Sequence, residues 1–417
     1  MILTTIQSYS WRLFVSDVLA GATVAMVALP LSLAIAIASG ADPAKGVITA
    51  IIGGFLISLF GGSRVQIGGP TGAFIVVVFA VIAEHGYDGL VLATLMAGII
   101  LLIGGFFRAG SLIAYVPEAV VNGFTIGIGI IIATSQLSDF FGLTVDSVPA
   151  DFLEKIPVLW QARDTVSLAA LAIAVLTLIL IIVLRRMAPR FPGLILAVAV
   201  GSALVAFLTL PVDTLGSRFG ELPSQLPWPQ LPDLSLQRMI ALLPSALVIA
   251  FLAGVESLLS AMVADKMIEG QHRPNAELTA QGVANIGSAL FTGLPATGAI
   301  ARTATNIKAG GKTPVAGIVH AAVILLVMLL AAPLASFLAM PALAALLVIT
   351  AWNMTEPHKW REYAQGRASD ILLLLLTLVL TVLVDLTVAI GVGVSIGLAL
   401  RLSRRKSVES DWSPPDR

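Results

Sequence analysis

The sequence predicts an all-α polytopic membrane protein of about fourteen transmembrane segments, arranged as two inverted halves of seven. Three observations carry that expectation. The chain is 58% hydrophobic and 12% charged with a mean hydropathy of +0.98, whereas an ordinary soluble domain is about 25% charged. Runs of about 20 apolar residues, enough to cross a bilayer, recur between Asp17 and Leu402. Finally, two stretches rich in Gly, Pro and Thr, residues 61–74 and 292–313, interrupt the apolar pattern at matching places in the two halves. Paired interruptions of this kind mark the binding region of transporters.

Taken in order, segment one covers residues 15–39, with Pro30 inside it. It lacks a clear cleavage site and is expected to remain as an inserting anchor. Segment two covers 46–60, and the short segment three, 71–83, follows the Gly68-Gly69-Pro70 break. Segments four and five are 90–107 and 119–134, and a polar excursion runs over 138–164. Segments six and seven (166–184 and 193–210) lead into a proline-rich stretch, 213–238, read as an extended linker. The second half holds segment eight at 239–267, nine at 278–291 and the broken ten at 299–307. Eleven to fourteen follow at 315–337, 343–353, 371–384 and 387–402, before a tail over 403–417.

Charge orients the chain. With both termini cytoplasmic, the even-numbered connections carry most of the basic residues, among them Arg64, Arg108, Arg185, Arg186, Lys266 and Arg273. The tail adds Arg404, Arg405 and Lys406. The odd connections hold Lys45, Lys155, Arg163, Arg218 and Arg238, interspersed with Asp139, Asp146, Asp151 and Asp233. That asymmetry follows the positive-inside rule. An odd number of crossings per half turns the second half upside down, so the broken segments meet near the midplane.

A helix N-terminus has unpaired N–H groups and about half a positive charge, so two facing N-termini make an anion site. Thr71, Gly72, Ala73 and Phe74 open one half-helix, and Gly298, Ala299, Ile300 and Ala301 the other. Thr71 and Thr297 offer hydroxyls, and Arg302 adds a fixed charge. A charge at membrane depth costs about 2.5–3.5 kcal/mol on insertion scales and faces an interior or a wet cavity. Two bland readings stand beside these: the Gly and Pro residues as packing devices, and Arg302 as the partner of a carbonyl or of Glu256. Glu256 lies mid-segment with Ser260 one turn on. A carboxylate there exchanges a proton, or with Ser260 ligates sodium; the bland reading is an ion pair with Arg302. Asp17 is expected to cap segment one, Asp265 to mark a boundary, His320 to be a packing histidine and Asp385 to sit in a turn.

Other chemistries are excluded. The chain has no cysteine and four scattered histidines, so thiol chemistry and a metal cluster are not expected. No GxxxxGK[ST] stretch supports ATP-driven transport, and no nucleophile–base–metal constellation supports an enzyme. No cofactor or nucleic-acid partner is expected.

The motifs form a series: Asp17-Val-Leu-Ala-Gly21, Gly62-Ser-Arg64 leading to Gly69-Pro70-Thr71, Asn275-Ala-Glu-Leu278, Gln281-Gly282 and Asn285-Ile286. Gly293 to Pro295, Arg302 and Gly310-Gly311-Lys312-Thr313 continue it. In these the chain resembles the sulfate-permease (SulP) family of anion transporters over most of its length. The resemblance implies a core domain, residues 1–115 and 239–338, moving against a gate domain, 116–238 and 339–402. It places substrate between segments three and ten, at residues 71–74 and 299–302, makes Glu256 the acidic coupling position and implies a homodimer. Two departures stand out. Pro30-Leu31 and Ile35 replace the Pro-Gln and aromatic residue of many members. The first-helix wall thus loses polar contacts, leaving carboxylates or bicarbonate open beside sulfate. The STAS domain usual after the last helix does not follow in this sequence, as expected either of a shortened chain or of a prokaryotic member lacking it. The expected function is secondary active transport of a small anion (a carboxylate or dicarboxylate such as fumarate, bicarbonate or sulfate) by proton symport with alternating access. The expected setting is a bacterial inner membrane. Sodium coupling, an uncoupled channel or exchanger, and a nucleobase permease are the alternatives.

Overall fold

A computed structural model describes residues 2, 5, 9–111, 117–145, 148–149, 151–187, 193–384 and 386–403. Asp385, Asp146, Arg190 and most of the tail, named above from sequence, lie outside the described residues. The first helix, α1 (Trp11–Ala38), starts where Ser10 Oγ accepts from the Leu13 amide at 3.3 Å. Helix α2 (Pro43–Phe60) begins with a proline at its first position and the Asp42 carboxylate on the Ala44 amide at 2.8 Å. Strand β1 (Gly68–Gly69) and a short 3₁₀ turn (Gly72–Phe74) then lead into α3 (Ile75–Phe106).

Segments three and four of the sequence lie in this stretch as two helical runs that meet at a kink. Gly86 makes the kink at φ 72° and ψ 177°, a non-helical conformation in which an L side chain is strained, so the break falls between the two segments. Helix α4 (Glu118–Ser135) is followed by α5 (Leu137–Phe141) and α6 (Phe152–Gln161). The excursion read as polar therefore holds helices. In α6, Lys155 and Leu159 are buried while Leu153, Ile156 and Trp160 are exposed. Helices α7 (Leu168–Met187) and α8 (Gly193–Phe207) come next. The linker also contains a helix, α9 (Leu215–Phe219), because Thr214 and Ser217 form a capping box there.

The second half opens with α10 (Leu236–Ile268) and α11 (Pro274–Leu290). Strand β2 (Thr297–Gly298) precedes the half-helix α12 (Ile300–Lys308). Helices α13 (Pro314–Ala335), α14 (Met340–Met354), α15 (Trp360–Ala364), α16 (Ala368–Leu383) and α17 (Leu386–Ser403) complete the chain. Among the described residues, seven helices are long and apolar enough to cross a membrane, and three further apolar helices are shorter.

Packing sorts the helices into two groups. Helices α1, α2, α3, α10, α11, α12 and α13 contact one another, and α4, α7, α8, α14, α16 and α17 form a second set. Small residues set the closest approaches inside the first group. A Cβ on Gly98 of α3 would lie 2.8 Å from Ile286 Cγ1, and one on Gly282 of α11 would lie 2.7 Å from Leu102 Cγ. Backbones that approach this closely gain dispersion contacts, the main source of helix association where lipid removes the hydrophobic drive.

Candidate functional site

The two interrupted stretches meet as a strand pair. β1 and β2 run antiparallel, with Gly68 opposite Gly298 and Gly69 opposite Thr297. All four residues are buried. Such irregular backbone is tolerated at membrane depth only where other protein groups satisfy its N–H and C=O groups. Those partners are present. Asn285 donates from Nδ2 to the Ala296 carbonyl at 2.8 Å and accepts the Ala296 amide at 3.0 Å. Ser288 Oγ donates to the Leu294 carbonyl at 2.6 Å, and the Leu294 amide donates to Thr49 Oγ1, also at 2.6 Å.

Under the strands lies a polar base. Glu277, fully buried, accepts from five donors: the Gly62 and Ser63 amides at 2.8 and 3.1 Å, Gln66 Nε2 at 3.0 Å, Ser257 Oγ at 3.1 Å and Gln281 Nε2 at 2.8 Å. Gln66 Nε2 also donates to Ser257 Oγ at 2.7 Å. A side chain on Gly298 would collide with the Gln66 amide, so only glycine allows β2 to lie on this base.

The residues singled out from sequence fall around the pair. Thr71 Oγ1 donates to Glu256 Oε2 at 2.7 Å, joining the entry to one half-helix to the carboxylate on α10. Gly72 lies against Met354 and Ile132 of the second helix group, and Ala73 is partly buried beside it. Phe74 is buried in the main apolar core, in the same cluster as Leu31 and Ile35. On the other side, the Ala299 amide donates to the Ile67 carbonyl at 2.8 Å, extending the strand pairing. Ile300, Ala301 and Arg302 open α12, so their N–H groups lack intrahelical acceptors. The side chains of Ile300 and Ala301 are exposed.

Several single-residue expectations change. The Thr297 hydroxyl donates to the Ala253 carbonyl at 2.8 Å, which makes it a brace between β2 and α10. Ser260 Oγ donates to Thr303 Oγ1 at 3.3 Å, and Thr303 accepts the Ile67 amide at 3.0 Å. Arg302 forms no ion pair with Glu256 among the described residues; its Nη2 donates to Ser32 Oγ at 3.1 Å. Asp17 does not cap its own helix. Its carboxylate accepts the Lys312 and Thr313 amides at 2.9 and 3.2 Å, the Thr313 hydroxyl, and Tyr9 OH at 2.9 Å, stapling α1 to the start of α13.

A cavity of about 860 Å³ opens between the two helix groups and reaches Ile75, the residue after the 3₁₀ turn. Ser245 of α10 and Ala80 of α3 face it from the first group, and Ile131, Gln136 and Lys155 from the second. At its mouth Arg218 pairs with Asp139 at 2.8 Å and with Asp213 at 3.1 Å.

The chain has counterparts among known proteins: the model of the Sulfate permease family matches residues 14–377. The chain belongs to the sulfate permease family. It is therefore a member of a family of membrane anion transporters, and its relatives are named as transporters rather than enzymes. It is 44% identical over 370 residues to the putative sulfate transporter YvdB of Bacillus subtilis, covering 88% of this chain and 70% of that one. Against the bicarbonate transporter BicA of Picosynechococcus it is 33% identical over 346 residues, covering 79% of this chain and 60% of the relative. The solved transmembrane domain of a cyanobacterial BicA superposes with a TM-score of 0.82 at 30% identity, covering 92% of this chain and 99% of that one. SLC26A9 shares the fold at 18% identity, with a TM-score of 0.87 and 97% and 68% of the two chains covered.

Thr49, Gln66 and Ser288 were not singled out in the sequence as parts of the site, and Ser257 was noted there only as sharing a helix face with Glu256. The available signal was polar side chains in otherwise apolar or glycine-rich stretches. Glu277 and Asn285 entered the reading only as fragments of a family resemblance.

Proposed function

We propose that this protein is a secondary active transporter that moves a small anion by proton symport. The anion class is carboxylate or dicarboxylate, bicarbonate or sulfate. It binds where the Thr71–Phe74 turn and the first residues of α12 approach across the strand pair. The observation that carries this reading is the 2.7 Å hydrogen bond from Thr71 to Glu256. It sets a carboxylate directly beside the half-helix entry.

Electrostatics then favours coupling. Two negative charges about 5 Å apart repel by about 3 kcal/mol at an effective dielectric of 20, a factor of about a hundred in affinity. A proton on Glu256 removes that repulsion, so anion and proton bind best together. Release of either one weakens the hold on the other. The two helix groups serve as transport and gate bodies, with both termini in the cytoplasm of a bacterium and the inner membrane as the site of action.

The test is uptake of labelled sulfate, bicarbonate, succinate and fumarate into proteoliposomes, with uracil as control. Each is run with and without inward proton and sodium gradients at clamped potential. Accumulation that requires the proton gradient is expected. Accumulation that follows sodium instead would transfer the coupling role to that ion. Flux that only equilibrates, indifferent to both gradients, would make the protein an uncoupled exchanger or channel.

A further inference from the structure

Behind β1, on the side of α2 and α13, sits a set of buried polar groups made of Arg302, which the transport reading places at the anion, and of His320 and Ser58, which it does not use. Arg302 is 1% exposed, and beyond its bond to Ser32 its Nε and Nη1 have no acceptor among the described residues. His320 of α13 is 0% exposed, and neither ring nitrogen has a partner among the described residues. Ser58 Oγ on α2 is likewise without one.

These groups share one region. The guanidinium Nη1 lies against Gly69, which has φ +150° and no room for a Cβ on that side. A Cβ on Gly54 would stand 3.6 Å from His320 Nδ1 and 3.0 Å from the Gly68 carbonyl oxygen. A Cβ on Gly317, three residues before His320, would collide with Ser58 Oγ. Gly54 on α2 thus faces the imidazole next to the strand that Arg302 abuts, and Gly317 on α13 makes room for Ser58.

Leaving such groups unpaired costs about 1–3 kcal/mol each, more where one is charged. Buried sites lined by several polar groups hold water that bridges them. We propose that His320 is a positioning residue for Arg302, acting through water held between α2, α13 and β1. The imidazole accepts from the water that accepts from Arg302. This fixes the guanidinium from behind and leaves its remaining N–H groups aimed at the anion. The ligand of this rear site is water; the anion stays at the strand pair. The inference rests on the reading that Arg302 serves the anion.

The experiment measures the concentration dependence of uptake of labelled sulfate, bicarbonate and succinate for H320L, H320Q, R302A and the double variant H320L/R302A. H320L is expected to raise the half-saturating concentration on the order of tenfold, with the maximal rate within about twofold, as expected for loss of a water-mediated bond to a charged group. H320Q, which keeps an acceptor and a donor, should stay within about twofold of the parent. In the double variant the leucine should add nothing to the effect of R302A.

R302A without effect would remove the anion reading itself. R302A effective with H320L silent, or H320L acting equally with and without Arg302, would overturn the role of His320 alone. An experimental map of the unaltered protein provides a second check that needs no variant. Water density within about 3 Å of both Arg302 Nε or Nη1 and a His320 ring nitrogen is expected. A dry contact there would also overturn the proposal.

Discussion

Glu277 and Glu256 are buried to different degrees for different ends. Glu277 has five donors around its two oxygens, an acceptor-only role that an amide cannot fill. Glu277→Gln turns an acceptor toward the Gly62 and Ser63 amides or the Gln66 and Gln281 side chains into a donor. It should lower stability by about 2–3 kcal/mol, read as a fall in melting temperature in detergent. An unchanged melt would mean that the network contributes little. Glu256, by contrast, has one hydrogen-bond donor among the described residues, Thr71. Glu256→Gln should keep the fold but make uptake indifferent to the proton gradient. Retained dependence on that gradient would remove Glu256 from coupling. At the edge of the membrane, burial, together with the bond to Asp17, pushes the Tyr9 phenol up to about 12. Its contribution to stability is thus complete below its unfolded value near 10 and is lost as pH rises from there through about 12. Melting temperatures of Tyr9→Phe and the parent should therefore converge or cross over that window; parallel curves would show that the Asp17 staple does not control the phenol. Arg302 and Glu256 were legible because a charge in an apolar run is costly and demands a reason. Asn285, Ser288 and Thr49 were not, because their task depends on which irregular backbone folds next to them.

The break in each half was legible at the scale of elements, since Gly, Pro and Thr cannot continue a spanning helix. Their pairing was not. Two-residue strands carry no alternation to read, and the register of Gly68 with Gly298 comes from Gln66, Asn285 and Thr303 holding both stretches in place. Gly86 was not singled out in the sequence, yet it is where the helical runs of segments three and four meet at a kink. The two glycines make a graded pair of tests. Both have positive φ, but a Cβ on Gly86 meets nothing within 4 Å, while one on Gly69 would strike the Arg302 guanidinium. Gly86→Ala should cost about 1–2 kcal/mol through strain and leave uptake intact. Gly69→Ala adds displacement of Arg302 to that strain and should abolish uptake even where the protein reaches the membrane. Equal effects of the two substitutions would mean that backbone strain alone, and not the position of Arg302, explains the loss.

Across the whole molecule, the division into two helix groups decides what can move. Contacts within each group join helices far apart in sequence, such as α3 with α11 and α4 with α16, whereas the boundary between groups carries the 860 Å³ cavity. Packed groups respond to load as units, since their interiors tolerate little deformation. Motion is therefore expected at that boundary, where Gly72 meets Met354 and Ile132. The sequence holds no cysteine, so a cysteine introduced at Ala80, exposed and facing the cavity from α3, reports on the cavity alone. From the side carrying Lys155 and Arg218, an impermeant thiol reagent should label Ala80→Cys in the resting protein. Cycling, with a transported anion and an inward proton gradient present together, should slow labelling several-fold as the cavity closes for part of each turnover. Anion or gradient alone should do less, because the charge argument at Glu256 couples the two. Labelling at one constant rate under all four conditions would mean that the groups do not separate here, and alternating access at this boundary would be wrong even if uptake itself proved proton-driven.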